Sequence, residues 1–175
     1  MLSMNTLILG LGNPLRGDDG VGWRAAEECA KQIADASHIE VDCFAYGGLS
    51  LMERLIGYDR VILIDAINMG HKPAGQVESF RLEELADPYA GHLASVHDVT
   101  LHTALALGRA LGARLPSDVI VVATEVENVY DFTEELSPVV AQAVPRAVEL
   151  VMCQLVKQPE DHTVATHRRV DPVTL

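Results

Sequence analysis

The sequence predicts an α/β fold with three layers: a mainly parallel, twisted sheet of about five strands, flanked by helices on both faces. Three continuous apolar runs, Thr6–Leu11, Arg60–Ile67 and 118–124, are typical of strands buried in the middle of a parallel sheet. Segments with helical spacing separate these runs. Strands that alternate with helices in this way are typical of a three-layer α/β domain.

The elements follow one another along the chain. Val21, Ala25, Ala26, Cys29 and Ile33 recur at helical spacing and predict a helix over 19–36. The other predicted elements are a strand over 39–45, a turn at Gly47-Gly48, a short helix over 49–56, an edge strand or hairpin partner over 76–82, mostly loop over 83–96, a helix over 98–111 and a long helix over 137–157.

The long last helix has a recognisable start and a possible weak point. Ser137 is a favourable N-cap, and Pro138 suits the first helical position. Pro145 lies within the helical pattern and is predicted to kink or interrupt it. The polar stretch beyond this helix divides the chain into a single α/β domain, 1–157, and a flexible C-terminal tail, 158–175.

Composition restricts the class of protein. With 175 residues, 49% hydrophobic and 22% charged, the chain is expected to be globular and to have one core. Its formal net charge of −12 weighs against a nucleic-acid partner. No stretch approaches the ~20 apolar residues of a membrane span, so no membrane association is expected. Three cysteines without paired spacing favour a reducing compartment, and we expect a cytoplasmic protein whose thiols lie in the core.

The loop after the first strand carries an unusual motif, "LILGLGNPLRGDDGVG", over 7–22. A dinucleotide-binding GxGxxG is excluded because Asn13, Pro14 and Leu15 follow Gly12, and no Walker Gly-Lys-Ser/Thr is present. Asp18 and Asp19 would repel a phosphate at this helix start. Either aspartate could simply cap the helix, where the helix dipole stabilises an acid by roughly 0.3–1 kcal/mol.

Two further side chains are predicted at the same edge of the sheet. Asp65 ends the apolar run "VILID", and His97 directly precedes the helix predicted over 98–111. Ligands bind at the carboxyl ends of parallel strands, so Asp19, Asp65 and His97 could form one site. Two carboxylates would neutralise a divalent cation, and one imidazole favours nickel or zinc over magnesium or calcium. The alternative is that all three are ordinary caps and loop side chains.

Three segments make the chain similar to a known family. "LGLGNPLRGDDGVG", "VILIDAI" and "SVHDVTL" resemble the signature segments of the nickel-iron hydrogenase maturation proteases. The resemblance extends over about residues 4–155 and includes "GGLSLMERL" and "ELSPVVAQAVP". It implies a phosphorylase/hydrolase-like α/β fold. It also implies an endopeptidase that removes the C-terminal extension of the hydrogenase large-subunit precursor once nickel has been inserted.

The resemblance assigns roles to particular residues. Asp19, Asp65 and His97 match the family's metal ligands and catalytic residues, and the nickel that they engage is supplied by the precursor, with Zn or Cd as surrogates. Asp18, Gly47 and Gly48 are expected to support these ligands or to position the substrate. One position differs: Tyr46 stands where relatives often carry an aspartate before the glycine pair.

The mechanism and two alternative functions remain open. The metal could polarise the scissile carbonyl, activate water or serve only to place the substrate, and no general base is identifiable. A nickel-dependent chaperone that binds the precursor without cutting it would use the same ligands. Peptidyl-tRNA hydrolases also begin with a strand and "GLGNP", but they carry a histidine soon afterwards, and here the first histidine is His38.

Overall fold

The computed structural model describes residues 4–33, 36–70, 72–84, 100–127 and 132–157. They form a five-stranded sheet in the order β2-β1-β3-β5-β4. The strands are β1 (Thr6–Leu11), β2 (Ile39–Phe44), β3 (Arg60–Ile67), β4 (Val77–Arg81) and β5 (Asp118–Glu125). The helices are α1 (Val21–Gln32), α2 (Gly48–Arg54), α3 (Leu101–Ala110) and α4 (Pro138–Val156), with short 3-10 helices at Gly17–Gly20 and Leu82–Glu84.

The sheet is mixed but mainly parallel, as predicted. Strands β2, β1, β3 and β5 run parallel, and β4 pairs antiparallel with β5 at the edge. The predicted edge strand is therefore confirmed, although β4 pairs with the later strand β5 rather than forming a hairpin with β3. The parallel pairing brings the carboxyl ends of β1, β3 and β5 to one edge, called the carboxyl edge below.

Helices cover both faces of the sheet, which confirms the three-layer prediction. On one face α2 and α3 pack against the alternating residues that include Leu9, Leu63 and Val121. On the other face α1 and α4 pack against the intervening residues, such as Ile62 and Val122. Because neighbouring residues of a strand point to opposite faces, residue numbers identify the face to which each side chain belongs.

Three local predictions need correction. Residues 17–20 form a 3-10 helix, so α1 begins at Val21 rather than at Asp19, and its N-cap is Gly20 without a side-chain hydrogen bond. Ser137 is the N-cap of α4, but its side chain does not cap the helix. Pro145 does not interrupt α4. The carbonyl of Ala141 that Pro145 deprives of a donor lies on the exposed face, where water can hydrogen-bond to it.

Helix α4 also corrects the expectation about apolar length. Its 19 residues are long and apolar enough to cross a membrane by length and composition alone. Val140, Ala147, Val148 and Val151 are buried in the domain, so part of its apolar surface belongs to the core. The proposed tail, 158–175, lies outside the described residues, and the division into domain and tail stays a prediction.

Candidate active site

The glycine-rich loop brings the start of α1 against the carboxyl ends of β1 and β3. A methyl group added at Gly22 would lie 2.3 Å from the carbonyl oxygens of both Leu11 and Ile64. A methyl group added at Gly10 would lie 2.4 Å from the carbonyl oxygen of Gly22. These glycines therefore serve close packing of helix on strand.

Asp19 lies inside this loop rather than on its surface. Its side chain is 3% exposed, and its Oδ2 accepts a hydrogen bond from the backbone N–H of Asn13 at 2.9 Å. The N–H of Asp19 in turn donates to the carbonyl of Arg16. Asp19 thus belongs to a closed turn between β1 and α1, and it does not act as the cap that was the alternative interpretation.

Asp18 connects two distant parts of the chain. Its two carboxylate oxygens accept hydrogen bonds from the backbone N–H and the hydroxyl of Ser137, at 2.7 and 2.9 Å. The neighbouring Gly17 N–H donates to the carbonyl of Thr133 at 2.7 Å. The 3-10 helix is therefore attached to the start of α4, and the expected role of Asp18 towards the ligands or the substrate stays a prediction.

Asp65 lies near the end of β3 and is completely buried. It follows Leu63 and precedes Ile67 on the face that α2 and α3 cover. The 3-10 helix that carries Asp19 contacts β3, and Gly10 of β1 pairs with Ile64. The structure thus places Asp19, in the 3-10 helix after β1, and Asp65, near the end of β3, at the same edge of the sheet.

His97 lies outside the described residues, so its place in the proposed set stays a prediction. Helix α3, which follows it, begins at Leu101 with Thr100 as N-cap, whose side chain accepts from the N–H of Thr103. Within the described ranges, no group of three or more His, Cys, Asp or Glu side chains is arranged to hold a metal ion.

The glycine pair after β2 forms the start of α2. Gly48 has a φ of +57°, a conformation that favours glycine, and Gly47 is the N-cap. Tyr46 is 68% exposed, and its ring contacts Phe44 edge-on at 5.6 Å between centroids. The place of the family's aspartate is therefore occupied by an exposed aromatic ring beside the carboxyl edge.

Glu125 is an acidic residue at this edge that the sequence interpretation missed. It ends β5, is 3% exposed, and its Oε1 accepts hydrogen bonds from the N–H groups of Met69 and Gly70 at 2.9 and 2.8 Å. The missed signal was an acid that ends an apolar run, "VIVVATE", just as Asp65 nearly ends "VILIDAI".

Buried charge is distributed unevenly between the two ends of the sheet. The carboxyl edge holds the buried carboxylates of Asp18, Asp19, Asp65 and Glu125. The buried arginine of the described part of the chain, Arg60, lies at the opposite edge, where its Nε is 3.0 Å from Oδ2 of Asp118. This distribution suits the approach of a cation to the carboxyl edge and opposes an anion.

The cysteines are poor candidates for nucleophiles. Burial raises the pKa of Cys29 and of Cys43 to about 11, so both thiols stay protonated near neutral pH. Cys29 is in the core as expected, Cys43 is half-buried, and Cys153 is exposed, contrary to the expectation that all three are core residues.

Comparison with known proteins identifies the family. The family model described as hydrogenase maturation protease matches residues 23–154. The chain belongs to the hydrogenase maturation protease family. The matched range begins just after the glycine-rich loop and includes Asp65 and Glu125.

Curated relatives and solved structures agree with this assignment. The hydrogenase expression/formation protein HupD of Bradyrhizobium diazoefficiens is 28% identical over 152 residues, which are 87% of this chain and 78% of that protein. The hydrogenase maturating endopeptidase HybD of Escherichia coli superposes with a TM-score of 0.70 and 25% identity, covering 87% of this chain and 92% of that one. The [NiFe] hydrogenase maturation protease HybD of Thermococcus kodakarensis superposes with a TM-score of 0.64 and 28% identity, covering 88% of this chain and 100% of that one.

Membership confirms the resemblance drawn from the sequence motifs, together with the α/β protease fold. This maturation protease is therefore a peptide hydrolase by family. The role of nickel, the precursor that is cut and the residues that act on it are not given by family membership.

Proposed function

We propose that this maturation protease is an endopeptidase that removes the C-terminal extension of a nickel-iron hydrogenase large-subunit precursor after nickel insertion. The observation that carries the proposal is the concentration of buried carboxylates at the carboxyl edge of a fold shared with maturation proteases. Parallel α/β folds bind their ligands at this edge. We further propose a cytoplasmic site of action, with neither nucleic acid nor membrane as partner.

In this proposal the nickel belongs to the substrate. Asp19 and Asp65, with His97 as the nitrogen donor, engage the nickel that the precursor carries, and Zn or Cd could replace it in vitro. Two carboxylates and an imidazole leave coordination positions for the precursor's own ligands. The donor chemistry of Asp19 and Asp65 supports this, because both are buried acids at the carboxyl edge of the sheet.

The loop architecture assigns each residue a task. Asn13 holds the carboxylate of Asp19, so the carboxylate does not have to be ordered when the substrate arrives. Asp18 holds the 3-10 helix against the start of α4. Gly47 and Gly48 turn the chain after β2 into α2, at the carboxyl end of β2, where we propose that they help to position the substrate.

The test is the intact mass of a purified large-subunit precursor that is incubated with the protease. Nickel-loaded and nickel-free precursor are compared, each with the wild type, with Asp19→Asn and with Glu149→Gln. Glu149 is an exposed acid on α4, so its substitution removes the same charge away from the carboxyl edge. We expect a C-terminal peptide to be lost only from nickel-loaded precursor, with the wild type and Glu149→Gln but not with Asp19→Asn.

Two other results would change the assignment. If nickel-free precursor is cleaved at an equal rate, the protein is a peptidase, but nickel has no role in substrate recognition. An unchanged precursor mass, together with nickel-dependent binding of the two proteins, would favour the chaperone.

A further inference from the structure

The connection that follows β3 is held in place by hydrogen bonds at several points, the strongest of them to the buried side chain of Glu125. The N–H groups of Met69 and Gly70 donate to Oε1 of Glu125, and the Asn68 amide donates to the carbonyl of Glu127 at 3.1 Å. The N–H of Val126 donates to the carbonyl of Ile67 at 2.8 Å. Residues 68–70, called the β3 loop below, are thus fixed to the end of β5.

Fixing a surface loop through the buried carboxylate of Glu125 carries a free-energy cost. Its carboxylate is 3% exposed, and burial of a charge is unfavourable unless its hydrogen bonds replace the lost water. Its Oε2 is buried and has no hydrogen-bond partner within the described ranges. The N–H groups of a surface loop could bind water instead, so the buried acid indicates that a fixed loop conformation matters.

The β3 loop lies beside the proposed cleavage site. It begins three residues after Asp65, and Glu125 lies on the same face of the sheet as Asp65, because Asp65 pairs with Ala123. With about 4.8 Å between strands and about 3.3 Å per residue, the α-carbons of Asp65 and Glu125 are about 8 Å apart. The Met69 side chain is 38% exposed, although it is large and apolar.

We propose that Glu125 is a positioning residue that holds the β3 loop as one wall of the peptide-binding groove, with Met69 as its contact. The ligand is an extended segment of the precursor with an apolar side chain facing Met69, whose flexible thioether adapts to irregular apolar shapes. This inference rests on the proposed peptidase function. It adds a specificity-determining contact, and it assigns no proton transfer to Glu125.

The test compares precursor cleavage by Glu125→Ala, Glu125→Gln, Met69→Ser and two controls. Glu127→Ala removes an exposed acid next to the loop and leaves the carbonyl that binds Asn68. Val151→Ala removes buried volume from α4 near the opposite edge, so it should lower stability without affecting the β3 loop. Each variant is measured for kcat, KM and thermal unfolding, and for hydrogen exchange of the Met69 and Gly70 amides.

We expect Glu125→Ala to lose the exchange protection of both amides and to lower kcat/KM about 100-fold, since a displacement of about 1 Å near a reacting bond can cost that much. Glu125→Gln keeps the acceptor oxygen, although its neutral hydrogen bonds are about half as strong. Its kcat/KM should therefore stay within about 10-fold of wild type. Met69→Ser should raise KM and leave kcat unchanged. Glu127→Ala and Val151→Ala should cleave normally at a temperature where they are folded.

The inference is overturned if wild type cleaves and Glu125→Ala cleaves as well as Val151→Ala, in which case the peptidase function stands. Unchanged exchange of the two amides in Glu125→Ala would overturn it as well. If wild type leaves nickel-loaded precursor uncut, the proposed function fails first, and this inference fails with it.

Discussion

Replacing Asp18 with alanine should loosen the junction between the 3-10 helix and α4. The carboxylate is 8% exposed and accepts two hydrogen bonds from Ser137, at 2.7 and 2.9 Å. Hydrogen bonds to charged groups contribute about 1.5–3 kcal/mol each. The freed Ser137 hydroxyl can turn to cap α4, as serine commonly does at an N-cap, and would recover about 1 kcal/mol. We therefore expect the free energy of unfolding to fall by about 2–5 kcal/mol.

The assay is urea unfolding of four proteins: wild type, Asp18→Ala, Ser137→Ala and the double variant. Ser137→Ala removes only the hydroxyl bond to the Asp18 carboxylate and should cost about 1.5–3 kcal/mol. Because both substitutions break the same contact, the double variant should be more stable than the sum of the single effects predicts. At roughly 2–4 °C per kcal/mol for a domain of this size, Asp18→Ala should also lower Tm by about 4–20 °C.

Two results would refute this reasoning. A change below about 0.5 kcal/mol for Asp18→Ala is the size expected of an ordinary surface position. Strict additivity of the two substitutions would mean that Asp18 and Ser137 do not interact in solution.

Two further predictions concern stability. Asp118→Ala should cost about 3–5 kcal/mol in urea unfolding, because the Arg60 guanidinium, which is 2% exposed, would lose its acidic partner and keep only its hydrogen bond to the carbonyl of Lys157. Glu149→Ala, at an exposed ion pair, should cost under about 1 kcal/mol. Equal losses would contradict the buried pair. Burial raises the pKa of Cys29 from 9.0 to about 11, so the unfolded chain ionises first and stability should fall by about 2–3 kcal/mol between pH 9 and 11. Cys29→Ala should lack that part of the decline, and identical pH profiles would refute the assignment.

Local sequence properties predicted most of the elements of the fold. The apolar run of β3 is wholly buried, as continuous hydrophobicity predicts, and the helical spacing of Ala25, Ala26 and Cys29 places them in the core. Such patterns depend on near neighbours in the chain, which the sequence displays directly. The same holds for Gly48, whose positive φ is a property of the glycine itself.

The candidate site was predictable only where the strand ends mark it. The parallel sheet brings Asp19 and Asp65 to one edge, and a rule about strand ends was enough to expect this. No such rule identifies Ser137 as the partner of Asp18, because 119 residues separate them. Glu125 ends an apolar run and could have been found by the same rule, but its partners, the N–H groups of Met69 and Gly70, follow another strand and could not.

What the sequence by itself determined is therefore the set of elements, the family motifs and the acids that follow the strands. The tertiary structure decided which acids are held, by what and at which edge of the sheet. The physical reason is that burial and backbone preference are local properties. The partners of a buried carboxylate, in contrast, depend on strand order, which becomes fixed only when the layers pack together.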